Sequence, residues 1–232
     1  TVSENRIFSV VMSVYVKENP GCLEEAVESI LNQTLKPSVV VLVEDGPLTP
    51  ELYQVLEKLE AQSSIPIKRC PLEKNRGLGL ALQYGVLQCQ YDVIARMDTD
   101  VIAVEDRFEQ QFDLMKKENL DLLGGHIAEF IDQPDEIVSY RRVPTKHEEI
   151  VAYQRMRSAF NHMTVMFKKE MVLKAGNYED GLYMEDDLLW LNMISAGART
   201  GNVDQILCKV RVGAGMFERR GGLRYLKLYR QA

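Results

Sequence analysis

The side chains of this 232-residue chain best suited to chemistry are carboxylates, and they fall in three clusters. Glu44 and Asp45 precede Gly46, Asp98 and Asp100 flank Thr99, and Glu185, Asp186 and Asp187 run together. Alternate side chains of an extended backbone share a face, so Asp98 and Asp100 point the same way if the strand before them persists. Two hard oxygen donors so placed suit a divalent cation, Mg²⁺ or Mn²⁺, and such a cation suits a diphosphate. It neutralises phosphate oxygens and stabilises the charge that builds as a diphosphate leaves. A DxD triplet also arises by chance in acidic chains, and a carboxylate at a strand end often serves only a turn or a helix cap. The third cluster opens a helical pattern containing Leu188, Leu189 and Trp190, where acids complement the helix dipole. Three adjacent carboxylates exceed what a cap requires, and one of them beside a metal site would be a competent general base.

The elements that must position these clusters are readable in the first hundred residues. Short β-branched runs there alternate with helical patterns, as in βαβ units around a parallel sheet. Strands are expected at 7–14, 39–43, 65–68 and 92–97. Helical spacing follows over 22–31, then in Leu52, Val55, Leu56 and Leu59, then over 78–87, entered through Gly77 and Gly79. The first two acidic clusters close the second and fourth strands, and ligands of open parallel sheets sit beyond the carboxyl ends of the strands. Both clusters should therefore face one crevice. Beyond Asp100 the pattern predicts a helix over 108–117, a strand over 122–131 and a polar stretch rich in Pro, Asp and Arg up to residue 148. Without an internal repeat, low-complexity segment or clear linker, residues 1–232 read as one continuous α/β domain whose second half completes the pocket.

Bulk properties bound the partners. A composition 46% hydrophobic and 27% charged, with 8 Pro and 15 Gly, excludes disorder and fibrous repeats. The net charge of −6 offers no general attraction for a nucleic-acid backbone, so no nucleic-acid partner is expected. Cys22, Cys70, Cys89 and Cys208 show no CxxC spacing and read as reduced thiols of a cytoplasmic protein. No run approaches the ~18 apolar residues of a membrane span, and the first residues lack the order of a signal peptide. Residues 219–232 interleave Arg219, Arg220, Arg224, Lys227 and Arg230 with Leu223, Tyr225, Leu226, Leu228 and Tyr229, uninterrupted by an acid. That basic amphipathic tail reads either as a solvated helix or as a peripheral contact with the anionic inner face of a membrane. The pattern is still running at Ala232, which reads as a truncated chain.

Six motifs occur in a fixed order: Phe8-Ser-Val-Val-Met-Ser-Val-Tyr15, Ser29-Ile-Leu-Asn-Gln-Thr34, Val43-Glu-Asp-Gly46, Asn75-Arg-Gly-Leu-Gly-Leu-Ala81, Ala95-Arg-Met-Asp-Thr-Asp100 and Glu185-Asp-Asp-Leu-Leu-Trp190. Together they resemble the family 2 inverting glycosyltransferases of the GT-A fold, notably bacterial members that build capsular and extracellular polysaccharides. The resemblance covers nearly the whole chain. It implies a Rossmann-like nucleotide-sugar-binding half over 1–100, with a mostly parallel central sheet, and a mixed acceptor-binding half over 101–218. It also implies roles. Ser13 and Tyr15 match positions that hold the uracil and ribose of a UDP-sugar, the tyrosine ring stacking on the base; Tyr15 otherwise reads as a core aromatic. Asp45 matches the carboxylate that reads the uracil imide, and Arg76 lies where a cation meets the diphosphate. Asp98 matches the ribose-side carboxylate of the metal site and Asp100 the ligand of Mn²⁺ or Mg²⁺. Asp186 matches the base that takes a proton from an acceptor hydroxyl as that oxygen attacks the anomeric carbon opposite the leaving UDP. One such displacement inverts the anomeric centre. Glu185 and Asp187 share its cluster.

Departures from the family pattern leave these roles standing. Val101 follows the metal aspartate where many relatives carry a further acid, and Glu44 stands where the second-strand motif usually begins with Asp. Some relatives supply a late histidine to the metal; here His162 is the nearby candidate, as a metal ligand, an acceptor contact or a hydrogen-bonded structural histidine. The resulting expectation is transfer of a sugar from a UDP-sugar to a glycan acceptor, lipid-linked acceptors included. A metal-dependent nucleotidyltransferase is the first rival, but the stretch 13–21 offers one glycine and one lysine for holding a triphosphate. A non-catalytic nucleotide-sugar-binding subunit is the second, against which an intact Asp186 argues.

Overall fold

Residues 5–180 and 184–213 are described by the computed structural model of the chain. Strands β1 (Ser9–Val14), β2 (Val39–Glu44), β3 (Ile67–Pro71) and β4 (Val93–Arg96) run parallel in the order β3-β2-β1-β4. The sequences of β1 and β2, SVVMSV and VVVLVE, are nearly continuous apolar runs because both faces of these strands are covered. Helices α1 (Pro20–Leu31) and α2 (Pro50–Gln62) cover one face. Each begins with proline behind a side-chain cap, Asn19 accepting from the Cys22 N–H and Thr49 from the Leu52 N–H. Helix α3 (Leu78–Gln88) covers the other face. A Cβ at Gly85 would lie 2.6 Å from a Val11 methyl and 3.0 Å from a Val43 methyl, so this close seating requires glycine.

The second half is mixed. It comprises β5 (Val101–Ala103), α4 (Arg107–Glu118), β6 (Leu122–Phe130), β7 (Ile137–Arg141), α5 (His147–Gln154), a 3₁₀ turn (His162–Thr164), β8 (Met166–Lys168), α6 (Lys169–Lys174), α7 (Glu185–Ser195) and β9 (Thr200–Arg211). Strand β8 bridges β4 and β6 antiparallel, β9 runs parallel to β6, and β5 and β7 pair antiparallel with β9 and β6. One sheet thus runs β3-β2-β1-β4-β8-β6-β9-β5, with β7 beside β6. Two apolar cores lie on its faces: Val10, Met12, Val40 and Leu42 meet α1 and α2, while Val11, Val41 and Val43 meet α3 and α7.

Every strand and helix expected within the described residues is present, with ends displaced by a few residues. One expectation is corrected. The fourth strand stops at Arg96, and Asp98, Thr99 and Asp100 lie on the turn into β5 instead of continuing the strand. The polar stretch before residue 148 holds β7, an edge strand with Val138 and Tyr140 exposed. Among the described residues no helix is long and apolar enough to cross a membrane, and all four cysteines are free. The basic tail expected at 219–232 lies outside the described residues.

Candidate active site

The carboxyl ends of β1, β2 and β4 share an edge of the sheet, and the first turn of α7 comes to the same place. Tyr15, just past β1, is 38% exposed, which excludes the core-aromatic reading and leaves its ring available; Ser13 is half-buried. At the end of β2, Glu44 is buried in a two-pronged ion pair with Arg69, at 2.8 and 3.1 Å. That pairing ties β2 to β3. Asp45 is also buried and acts locally as an anchor: its oxygens accept from the backbone N–H groups of Arg76 (2.7 Å) and Gly77 (3.1 Å) and from the Asn75 amide (3.2 Å). Asp45 thereby fastens the entrance to α3, whose N-terminal residue Gly77 has no side chain to cap it. A uracil imide on Asp45 would share an oxygen already hydrogen-bonded to this loop. Arg76 itself is exposed beside it.

The DxD turn joins the acidic end of α7 through two bridging groups. Arg96, the last residue of β4, is completely buried, and its guanidinium pairs with Asp186 through one terminal nitrogen and with Asp98, at 3.4 Å, through the other. His162 bridges the same two carboxylates from the open side, with Nε2 3.3 Å from Asp98 and Nδ1 3.6 Å from Asp186. Asp98, Arg96, Asp186 and His162 therefore form a closed ring in which the two carboxylates alternate with a guanidinium and an imidazole. Burial opposes ionisation of Asp98, but Arg96 and His162 hold its carboxyl well below the usual carboxylate range. Burial likewise opposes the charge on His162 and is outweighed by Asp186 and Asp98, so its pKa is raised. Of the three readings of His162, the geometry gives a bridge between two carboxylates. Its turn is fixed by the fully buried Asn161, which is held by the Gly125 carbonyl (2.8 Å) and Arg141 (2.6 Å).

The three acids of α7 differ in surroundings. All three lie in the first turn, where acids complement the helix dipole, and the N-cap residue Met184 supplies no side-chain cap. Asp187 accepts from the Gln154 amide of α5 at 2.9 Å. Glu185 packs near Gly79 of α3, where a Cβ would lie 3.3 Å away, and burial together with the charge of Asp186 raises its pKa. Asp186 alone enters the ring with Arg96. Trp190 roots the helix, ringed by Phe160, Phe167 and Tyr178 at centroid distances of 5.8, 6.5 and 6.3 Å.

Asp100 is exposed on the turn and forms no ion pair among the described residues; partial burial and the charge of Asp98 raise its pKa. Glu18, in the loop after β1, hydrogen-bonds Thr99, and its pKa is raised by burial and then by Asp100 and Asp98. Among the described residues no three His, Cys, Asp or Glu side chains converge as a metal cage. Such a cage is not what Mg²⁺ requires beside a nucleotide, since it is usually held by one or two carboxylates with phosphate oxygens and water completing the shell. Crowded, underpaired carboxylates fit that mode, Asp100 foremost, because both oxygens of Asp98 are already engaged by Arg96 and His162.

Glu18, Gln154 and Asn161 are absent from the sequence expectations, and Arg96 stands there only within its motif, with no role. Arg96 left a local signal, a charged residue closing the buried run Val93-Ile-Ala; the others left none.

Residues 9–175 match the profile described as "Glycosyl transferase family 2". The chain belongs to glycosyltransferase family 2. Among its relatives it is 41% identical over 222 residues to the amylovoran biosynthesis glycosyltransferase AmsE of Erwinia amylovora, covering 95% of this chain and 82% of that one. It is 36% identical over 219 residues to the UDP-Gal:alpha-D-GlcNAc-diphosphoundecaprenol beta-1,3-galactosyltransferase of Escherichia coli, covering 94% and 78%. Crystal structures of S. aureus TarS superpose with TM-scores of 0.69, and of 0.70 for the complex with UDP-GlcNAc, at 18% and 17% identity. They cover 91% and 90% of this chain, which spans 38% and 59% of the TarS chains. At that identity the likeness carries the fold, which is GT-A. This family 2 glycosyltransferase therefore brings its acidic motifs together at the edge where open α/β sheets hold ligands.

Proposed function

We propose that this enzyme transfers a sugar from a UDP-sugar to a glycan acceptor with inversion, in the assembly of a bacterial surface polysaccharide. The observation that carries the reading is the meeting of the DxD turn with Asp186 of α7 in one ring of charges. The relatives support the direction: one is named for amylovoran biosynthesis, and another for transfer from UDP-Gal to a diphosphoundecaprenol-linked sugar.

In this reading Tyr15 stacks on the base, Ser13 and Asp45 lie near the uracil and ribose, and Arg76 faces the diphosphate. Asp98 holds the ribose side, and Asp100 is the protein's carboxylate toward Mn²⁺ or Mg²⁺. When bound, that cation neutralises diphosphate oxygens and stabilises the charge of departing UDP. Asp186 accepts the proton of the acceptor hydroxyl as its oxygen forms a bond to the anomeric carbon and the bond to the UDP oxygen breaks on the opposite face. The residues over 1–100 supply the donor contacts and those over 101–218 the acceptor side. A lipid-linked acceptor would bring the chain to the inner face of a membrane, where the tail at 219–232 would add peripheral contact.

Isothermal titration of UDP into the protein with Mn²⁺ and with EDTA, alongside Asp100→Ala, tests the donor site. Binding should require Mn²⁺ and be lost in the variant. Absence of UDP binding to folded protein under both conditions would overturn the UDP-sugar assignment.

A further inference from the structure

Arg96 closes the ring of charges but is given no role of its own in the reading above, and its side chain touches both sides of the site. Its guanidinium is sealed from solvent, with one terminal nitrogen on Asp186 and the other 3.4 Å from Asp98. Its planar group also lies 5.9 Å from the centroid of Tyr178, beside the aromatic cluster that roots α7. Its backbone is held as firmly. The Arg96 N–H donates to Val165 O at 2.9 Å, and Arg96 O accepts from the buried Arg107 guanidinium at 2.7 Å. Arg107 is in turn fixed by Gln111 at 2.9 Å. Burial penalises the charge on Arg96, and the attraction of Asp186 and Asp98 more than offsets it.

We propose that Arg96 is a positioning residue: a buried guanidinium that locks the acceptor-activating carboxylate of Asp186 at a set place relative to the donor-side carboxylate of Asp98. This inference rests on the proposed donor and base roles of those two aspartates. Both lie at the ends of elements, Asp98 on a turn beyond the end of β4 and Asp186 in the first turn of α7. His162 spans the same pair, but its side chain is 40% exposed, whereas that of Arg96 is fully enclosed. The rigid fork of arginine reaches two carboxylates at once, which the single ammonium of lysine does with one donor centre and a flexible stem. An equal charge of different shape therefore separates positioning from charge alone.

The test compares Arg96→Lys and Arg96→Met with the unaltered chain, measuring UDP binding by titration with Mn²⁺, steady-state kcat and KM for sugar transfer, and thermal unfolding. Arg96→Lys should stay folded, bind UDP within about threefold of the parent, and lose about a hundredfold in kcat, the scale expected when a reacting group is misplaced by about 1 Å. A crystal structure of Arg96→Lys should show Asp186 displaced from Asp98, a readout independent of turnover. A kcat within about twofold of the parent, or Asp186 unmoved, would overturn the role. Should Arg96→Met fail to fold, Arg96→Lys still decides the matter. Failure of the unaltered chain to bind UDP or turn over any nucleotide sugar would instead bring down the donor reading, and the positioning role of Arg96 with it.

Discussion

Asp186 and Asp98 sit within reach of the same guanidinium and the same imidazole, yet the proposed chemistry asks different things of them. A base must present an oxygen to the acceptor hydroxyl, and general-base catalysis is worth about 10²–10⁴ in rate. Asp186→Asn should therefore lower kcat by about that factor while UDP affinity stays within about threefold; a matching loss of UDP affinity would assign Asp186 to donor binding instead. Asp98 makes a different prediction because its carboxyl is held low in the folded state. A depressed pKa adds stability that is present above the ordinary carboxylate value, about 4, and is lost as pH falls through the folded value. His162, with its raised pKa, is protonated in both states over that acid range and adds no slope there. Denaturant unfolding as a function of pH should thus show a flatter acid limb, below about pH 4, in Asp98→Asn. An unchanged slope would mean that Asp98 is not the carboxylate stabilised by Arg96.

The elements behind these side chains were legible to different degrees, for physical reasons. Strands β1 and β2 stand out because burial on both faces demands continuous Val, Ile and Leu, and α1 and α2 because proline and a capping residue mark where they begin. Strands β5 and β8 span three residues each, too few for any periodicity to show. Strand β7 alternates only between half-buried and exposed positions at a sheet edge, so its pattern is shallow. The carboxylates of the three motifs were legible by type and spacing, whereas Glu18 and the groups holding the carboxylates, His162 apart, were not. Gln154 meets Asp187 across 33 positions and Arg96 meets Asp186 across 90, and no local pattern encodes such a pairing. Gly85 is the element-scale counterpart, since its meaning appears only once α3 lies on β1 and β2. Gly85→Ala places a methyl against the stiff side chains of Val11 and Val43, and overpacking of this kind costs about 1–3 kcal/mol. Urea unfolding should show that loss; a more stable variant, as expected from the better helix propensity of alanine, would mean the helix has room to lift from the sheet.

At the scale of the whole molecule, the single sheet joins the motifs proposed to hold the donor to the helix α7 proposed to face the acceptor, with β8 stitched between β4 and β6. The Arg96–Asp186 pair closes the same junction at the crevice. A ligand seated on the DxD turn consequently acts on a body whose two sides share both a sheet and a ring of charges. Preferential binding to the folded state stabilises by RT ln(1 + [L]/Kd), about 2.7 kcal/mol at a hundred times Kd. UDP with Mn²⁺ at that concentration should therefore raise the unfolding free energy by about 2.7 kcal/mol in one cooperative transition, and UDP with EDTA should raise it far less. A ligand-induced split into two transitions would show that the residues over 1–100 hold the donor independently of α7. Since the ring draws Asp98 from one side and Asp186 from the other, Arg96→Lys is the variant in which that split should first appear.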